Sequence, residues 1–522
     1  MLARHTHRAS TLLGLSLVAG LTALVGCSAS SEDASLAGDG GGENGPGVGQ
    51  GGAQDFGQFR SILDAGGIPG PQTLDDVGFF NEHKIELPAA TCGNDVCLHG
   101  QLGVMGNMIN GSNCTTVMLG MNTDVDPSTF ERPPLDIAFV IDTSGSMIGE
   151  PIEYVREGLL RMLDDLAPED RVWLVAFDNG AEVLLDGAAG DATADLQLAI
   201  EALAADGKTN IYDGLRVGYE RVAAATAEGR QSRVVLLSDG EATAGITSTS
   251  KIVAMSAGYN ELGHSLTTVG IGEDFDPVLM RRLSESGGGA FYYLEDPAAV
   301  REVFEEEVNT FLVPLARDLR IDVDIEPGYT LRAMYGTKRF ELDGNSAAIS
   351  IPNVQIAHRT TTADHENGRR GGGGAIIAEL VPHLASASSN VGTVGRLALS
   401  YVEPVSGETR AQEFPITSTL APGETPEGGR FDGSAVEKAF VMLNVFAGFQ
   451  LASERAAWGD DAGALAVLLP LAESVQGWLA RNDDDDIEDD LRYVQKFIDN
   501  LRARGAADPA PTKNPPDPWP QD

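Results

Sequence analysis

Three side chains with hard oxygen donors stand at alternate positions: Asp142, Ser144 and Ser146, in the run LDIAFVIDTSGSM (135–147). A nearly all-apolar stretch ends in the acid, and small hydroxyl residues follow around a glycine. Two other polar loops offer the same chemistry. Thr209 sits in GKTN (207–210), and Asp239 in SDG (238–240), where another apolar run ends. Carboxylate and hydroxyl oxygens suit Mg2+, which takes an octahedral oxygen shell at about 2.0–2.1 Å. A set with few full charges and several neutral oxygens would leave room for a carboxylate from another molecule. Asp142, Ser144, Ser146, Thr209 and Asp239 are therefore candidate ligands of Mg2+, with Mn2+ as an alternative.

The segments around these loops explain how they would meet. Apolar strands are expected at 135–142, 171–178, 182–187, 233–240, 265–272 and 290–295. Amphipathic helices lie between most of them, and DPAAVREVFEEEVNTF (296–311) follows the last. Continuous apolar strands imply burial on both faces, and interposed helices imply parallel crossovers. The spacing predicts an α/β, doubly wound, Rossmann-like domain over 133–312. The short step from 178 to 182 is hairpin-like and places one antiparallel strand at an edge. Ligands of such folds bind beyond the carboxyl ends of the strands, where Asp142 and Asp239 fall.

In that order and on that βα pattern, DTSGSM, the Thr of GKTNIYDGL and the Asp of LLSDGEAT resemble the metal-ion-dependent adhesion site of von Willebrand factor A (VWA) domains. The resemblance implies that Asp142, Ser144, Ser146 and Thr209 contact Mg2+ directly or through water, and that Asp239 acts mainly through water. It also implies a protein partner that completes the metal's coordination with an Asp or Glu carboxylate. The stretches FGQFRSILDAGGIPGPQTLDDVGFFNEH and FLVPLARDLRIDVDIEPGYTLRAMYG are similar to flanks of bacterial YfbK-like VWA lipoproteins.

The amino terminus bears on location. MLARHTHR is basic, and STLLGLSLVAGLTALVG is an apolar run short of the ~20 residues of a membrane span. It closes on Leu24-Val25-Gly26-Cys27, which looks like a bacterial lipobox, so residues 1–26 read as a lipoprotein signal peptide and Cys27 as the lipidated residue. Residues 27–54 are glycine-rich and polar, a flexible tether with a span of roughly 30 Å. No later stretch reads as a membrane span, so the membrane is expected to be met through the lipid anchor alone. The expected location is the bacterial cell envelope, lipid-anchored at the outer membrane and facing periplasm or cell surface.

Export also suits the cysteines. Besides Cys27 there are Cys92, Cys97 and Cys114, of which two are expected to form a disulfide, the pairing left open. A zinc site drawing on these three and His99 is the alternative. A small mixed module is expected at 55–132, a β-sandwich at 313–420, a linker at 421–433, helices at 434–505 with Pro470 kinking or dividing the second, and a disordered Pro-rich tail at 506–522. His358, Asp364, His365 and Glu366 fall in a polar loop (358–374). The acids of NDDDDIEDD (482–490) suit a helix start better than a calcium loop, since the EF-hand glycine and twelfth-position Glu are missing.

The formal net charge of −41 disfavours nucleic acid, whose phosphates are held by clustered Lys and Arg. HExxH, GxSxG and GxxxxGK[ST] do not occur, and no catalytic residue is assigned. The expected function is Mg2+-dependent binding of a protein partner. The alternative is an envelope scaffold or assembly factor in which the metal is only structural.

Overall fold

The computed structural model describes residues 48–49, 56–125, 133–227, 229–239, 241–271, 276–294, 314–356, 375–383, 392–404 and 406–509. The signal peptide, Cys27, nearly all of the tether, the 296–311 helix, the 358–374 loop and the tail from residue 510 lie outside these.

The α/β domain is a six-stranded sheet in the spatial order Ala181–Ala189, Arg171–Phe177, Leu135–Asp142, Gln231–Ser238, His264–Ile271, Gly288–Leu294. Every neighbouring pair is parallel except the 181–189 edge strand, which runs antiparallel to 171–177 as its short connection demands. The 135–142 strand is central, and all of its residues are buried. Its side chains alternate between two cores. Ile137, Phe139 and Ile141 face the helices Glu150–Met162 and Thr193–Glu201, while Ala138 and Val140 face Ile211–Ala225 and its neighbours. Burial on both faces is why the strand reads as unbroken apolar sequence. Close packing also fixes Gly218, where a Cβ would lie 2.4 Å from Val140 Cγ2.

The other expected domains are not separate, and their boundaries are corrected as follows. Strands Cys97–Gly106 and Asn113–Asn122, from the 55–132 module, pair with each other, and 113–122 pairs with Ile376–Pro382. The resulting sheet runs Tyr329–Tyr335, 376–382, 113–122, 97–106 and Arg430–Phe431, the last drawn from the expected linker. A second antiparallel sheet runs Ser346–Ile356, Pro314–Ile325, Gly392–Val402 and Thr409–Ser418, the last at one edge. Val48–Gly49, expected within the tether, pair with Ile356 and Gln355 at its edge. The two sheets enclose one core, with Val117, Leu119, Ile376, Ile321 and Leu397 among its members. Partners more than 250 residues apart in sequence leave no local signal of pairing.

The outer face of the first sheet has its own cover. Met118 and Ile377 turn away from the sandwich core and join helices Phe56–Asp64, Asp76–Glu82, Ser434–Ala457, Asp461–Leu479 and Asp485–Ala503. Phe56, Phe59, Phe79 and Phe449 form an aromatic cluster there, ring centroids 5.0–6.4 Å apart. The 461–479 helix continues through Pro470 without division. Helices 434–457 and 461–479 are long and apolar enough to cross a membrane, contrary to the expectation from sequence, yet the first is mostly buried within the body. The acids of 482–490 have local work: Asp484 caps the last helix through Ile487 N–H (3.1 Å), Asp486 pairs with Lys438 (2.8 Å), and Asp490 meets buried His83 (2.8 Å).

The α/β domain is thus inserted between two strands of the body, 113–122 and 314–325. Polar contacts on its Pro277–Ser286 helix join the two. Arg281 pairs with Asp75 (3.4 Å) and donates to Gln72 O (3.2 Å), and Arg339 donates to Glu285 O (2.6 Å). Beside them Lys338 pairs with Asp75 (3.3 Å) and Asp76.

Candidate metal-binding site

Asp142 ends the central strand and is fully buried. Its Oδ1 accepts from Ser144 N–H (2.9 Å), a local turn that short acids favour, and its Oδ2 accepts from the Ser238 hydroxyl (2.5 Å) at the end of the adjacent strand. The Ser144 and Ser146 hydroxyls lie 3.1 Å apart, and Ser146 Oγ donates to Asp239 Oδ1 (2.9 Å). Four of the five predicted ligands are therefore joined in one hydrogen-bonded chain, whose Asp142–Ser144 step runs through the Ser144 N–H. The chain then turns into the 150–162 helix at Gly149, whose φ of +98° suits glycine, and Pro151 occupies the first turn, where no N–H partner is needed.

Thr209 arrives on the neighbouring loop. Gly145 N–H donates to Gly207 O (3.1 Å) and Asp206 N–H to Thr143 O (2.7 Å), so the two loops are stitched by backbone. Thr209 itself is buried, its N–H donating to Thr243 Oγ1 (3.0 Å) and its carbonyl accepting from Thr243 and Ala244 (2.9 and 3.1 Å). Asn210 then caps the 211–225 helix through Asp213 N–H (3.3 Å). Ser238, Thr243 and Asn210 are positioning residues that the sequence reading did not assign. Ser238 lies inside the quoted SDG, whereas Thr243 has no local signature because its role depends on a loop 34 residues away.

The donor set fits a hard divalent cation. Every assembled side-chain donor is oxygen, and only two are carboxylates, consistent with the absence of any cluster of three or more His, Cys, Asp or Glu among the described residues. Burial pushes the Asp142 carboxyl up to about 6, against hydrogen bonds from Ser238 and Ser144 and with added repulsion from Asp239. No cationic side chain is among these principal influences. A buried carboxylate facing a second carboxylate is the arrangement a cation relieves. Ser146, by contrast, is exposed, so the site opens to solvent on one side.

A family model for the von Willebrand factor type A domain matches residues 136–306. This segment is a VWA domain. The VWA family is known for protein adhesion and for metal-dependent adhesion sites that bind divalent cations. The chain is similar to the uncharacterized protein YfbK of Escherichia coli, 27% identical over 206 residues, which is 39% of this chain and 36% of that protein. It is also similar to the uncharacterized protein sll0103 of Synechocystis, 25% identical over 352 residues, 66% of this chain and 79% of the relative. Thus the match spans about a third of YfbK but most of the cyanobacterial relative. Among solved structures, a von Willebrand factor type A protein from Catenulispora acidiphila covers 76% of this chain and 89% of its own, with a TM-score of 0.50 at 17% identity. That coverage exceeds the VWA domain, so the shared fold includes part of the body.

The cysteines lie away from this site. Cys92 and Cys97 form a disulfide in which the buried Cys114 takes no part, which settles the open pairing and removes the zinc alternative. His99 instead contacts Asn122 Oδ1 (2.7 Å).

Proposed function

We propose that this chain is a lipid-anchored, extracytoplasmic binding protein of the bacterial envelope, without enzymatic activity, whose VWA domain engages a protein partner through Mg2+. The observation that carries the reading is the hydrogen-bonded run from Ser238 through Asp142, Ser144 and Ser146 to Asp239, buried except at Ser146, where it opens to solvent. Asp142, Ser144, Ser146, Thr209 and Asp239 would hold the cation. When bound, it supplies an open coordination position for a carboxylate of the partner. Ser238 keeps the inner carboxylate oriented, and the stitched 143–146 and 206–209 loops hold the hydroxyls in place before any partner arrives. Such preorganisation reduces what binding must spend on ordering. The anchor at Cys27 rests on the sequence of residues 1–27, and the outer-membrane location on Ser28 directly after it.

Calorimetric titration of the purified protein with Mg2+, Mn2+ and Ca2+, beside Asp142→Ala, tests the site. The expected result is saturable 1:1 binding of Mg2+, lost by at least a hundredfold in a variant that keeps its wild-type circular dichroism. Wild-type binding that survives Asp142→Ala would refute the site. The anchor is tested separately, by whether Cys27→Ser releases the protein from membranes.

A further inference from the structure

The face that carries the candidate metal site also exposes apolar side chains. Ile148, 66% exposed, follows Ser146 by two residues. Ile246, 36% exposed, lies on the loop whose Thr243 and Ala244 N–H groups bond Thr209 O. A cleft of about 480 Å3 opens beside Ile246. On one side is Tyr212, in the first turn of the helix that begins just after Thr209. On the other is the Thr249–Glu261 helix, which contributes Lys251 near the metal face and Met255 and Tyr259 further along as it runs back towards the strand that starts at His264. Exposed apolar surface next to a polar anchor point marks an interaction site, and methionine adapts such a surface to different side chains.

Charge narrows the kind of partner. Around the site, Glu150, Asp206 and Glu241 are exposed, against Lys208 and the cleft's own Lys251. A divalent cation would be balanced by Asp142 and Asp239, which leaves the surrounding face net negative on a chain of formal charge −41. An acidic segment would be repelled from it, and a basic one steered towards it. Tyr212 lies three residues past Thr209, at the second position of the helix that begins at Ile211. An extended segment advances about 3.3 Å per residue, so a side chain two to four positions from a metal-bound acid reaches the cleft.

Resting on the metal-dependent reading above, we propose that this face recognises a cationic segment of a partner protein carrying one Asp or Glu close to an apolar side chain. The acid meets the metal position, and the apolar side chain lies in the cleft beside Ile246. The pairing of one acid with one apolar anchor sets specificity, while the basic residues around them set the rate of encounter.

The test uses an array of immobilised peptides, each with one Asp or Glu among systematically varied apolar, polar, acidic and basic neighbours, probed with the full chain in Mg2+ and in EDTA. Retained peptides are expected to need the acid and Mg2+, to carry an apolar residue two to four positions away, and to favour Lys or Arg elsewhere. The variant Ile246→Ser, at an exposed position that costs little stability, is expected to bind them about tenfold more weakly. Retention that needs acid and Mg2+ but shows no preference for apolar neighbours would overturn this inference and leave the metal reading standing. Retention indifferent to both acid and Mg2+ would overturn the two together, and failure to retain any peptide would overturn the cleft assignment.

Discussion

The VWA domain and the body that surrounds it bury their strands by opposite routes. In the domain, strands mostly follow one another through helical crossovers, and the whole sheet comes from residues 135–294. In the body, one sheet takes strands from 97–122, 329–335, 376–382 and 430–431, and its helical cover comes from residues 56–82 and 434–503. The domain is a contiguous unit inserted into a discontinuous one. Contact between distant parts of a chain incurs loop-closure entropy before it is rewarded, so the two units should differ in autonomy.

The sharpest way to break this comparison is excision. Residues 133–312 expressed alone are expected to give a cooperative urea transition by circular dichroism. Residues 55–132 alone are expected to be unfolded, because an isolated hairpin without its neighbouring strand and helices cannot bury a core. A folded 55–132 fragment would restore it as an independent module.

Next in size is a cavity in the aromatic cluster. Phe59 is fully buried against Phe56, Phe449 and Phe497, and Phe59→Ala is expected to destabilise the body by about 3–5 kcal/mol. The Mg2+ titration of the VWA domain should be unchanged at temperatures where both units are folded. Coupled loss of metal binding there would show that the units are not separable.

The smallest effect is expected at the junction. Burial pushes the Glu285 carboxyl up to about 7 from an ordinary 4.5, with Asp75 adding to the rise and Arg281 and Lys338 opposing it. A folded-state value above the unfolded one means that the folded form holds the proton more tightly. The resulting contribution is fully present below about 4.5 and is lost as pH rises through about 7. The melting temperature is therefore expected to gain a downward slope between those values from this group, and Glu285→Gln to flatten it. An unchanged slope in the variant would remove Glu285 as its source.

Much of the VWA domain was legible in advance because its signals are local. The 135–142 strand was bounded correctly from apolar residues alone, and the antiparallel edge followed from a connection too short for a crossover. The site was legible for a related reason: Asp142, Ser144 and Ser146 are neighbours in sequence as well as in space. The body was legible only in its elements. The apolar alternation of 113–122 identifies a strand, but nothing in it names Ile377 as the partner of Met118. Likewise, helix 434–457 has the composition of a membrane span, and its packing against the body's sheet and helices gives it a different role.

Sequence by itself determined the oxygen donors, the order of strands and helices in the VWA domain, and the acidity of the chain, since each is a property of residue type or short-range spacing. Tertiary structure alone decided which cysteines pair, how Thr243 and Ser238 fix the site, and that the two flanks of the domain close into one body. Those outcomes depend on contacts whose members lie tens to hundreds of residues apart, selected by shared burial rather than by any local preference.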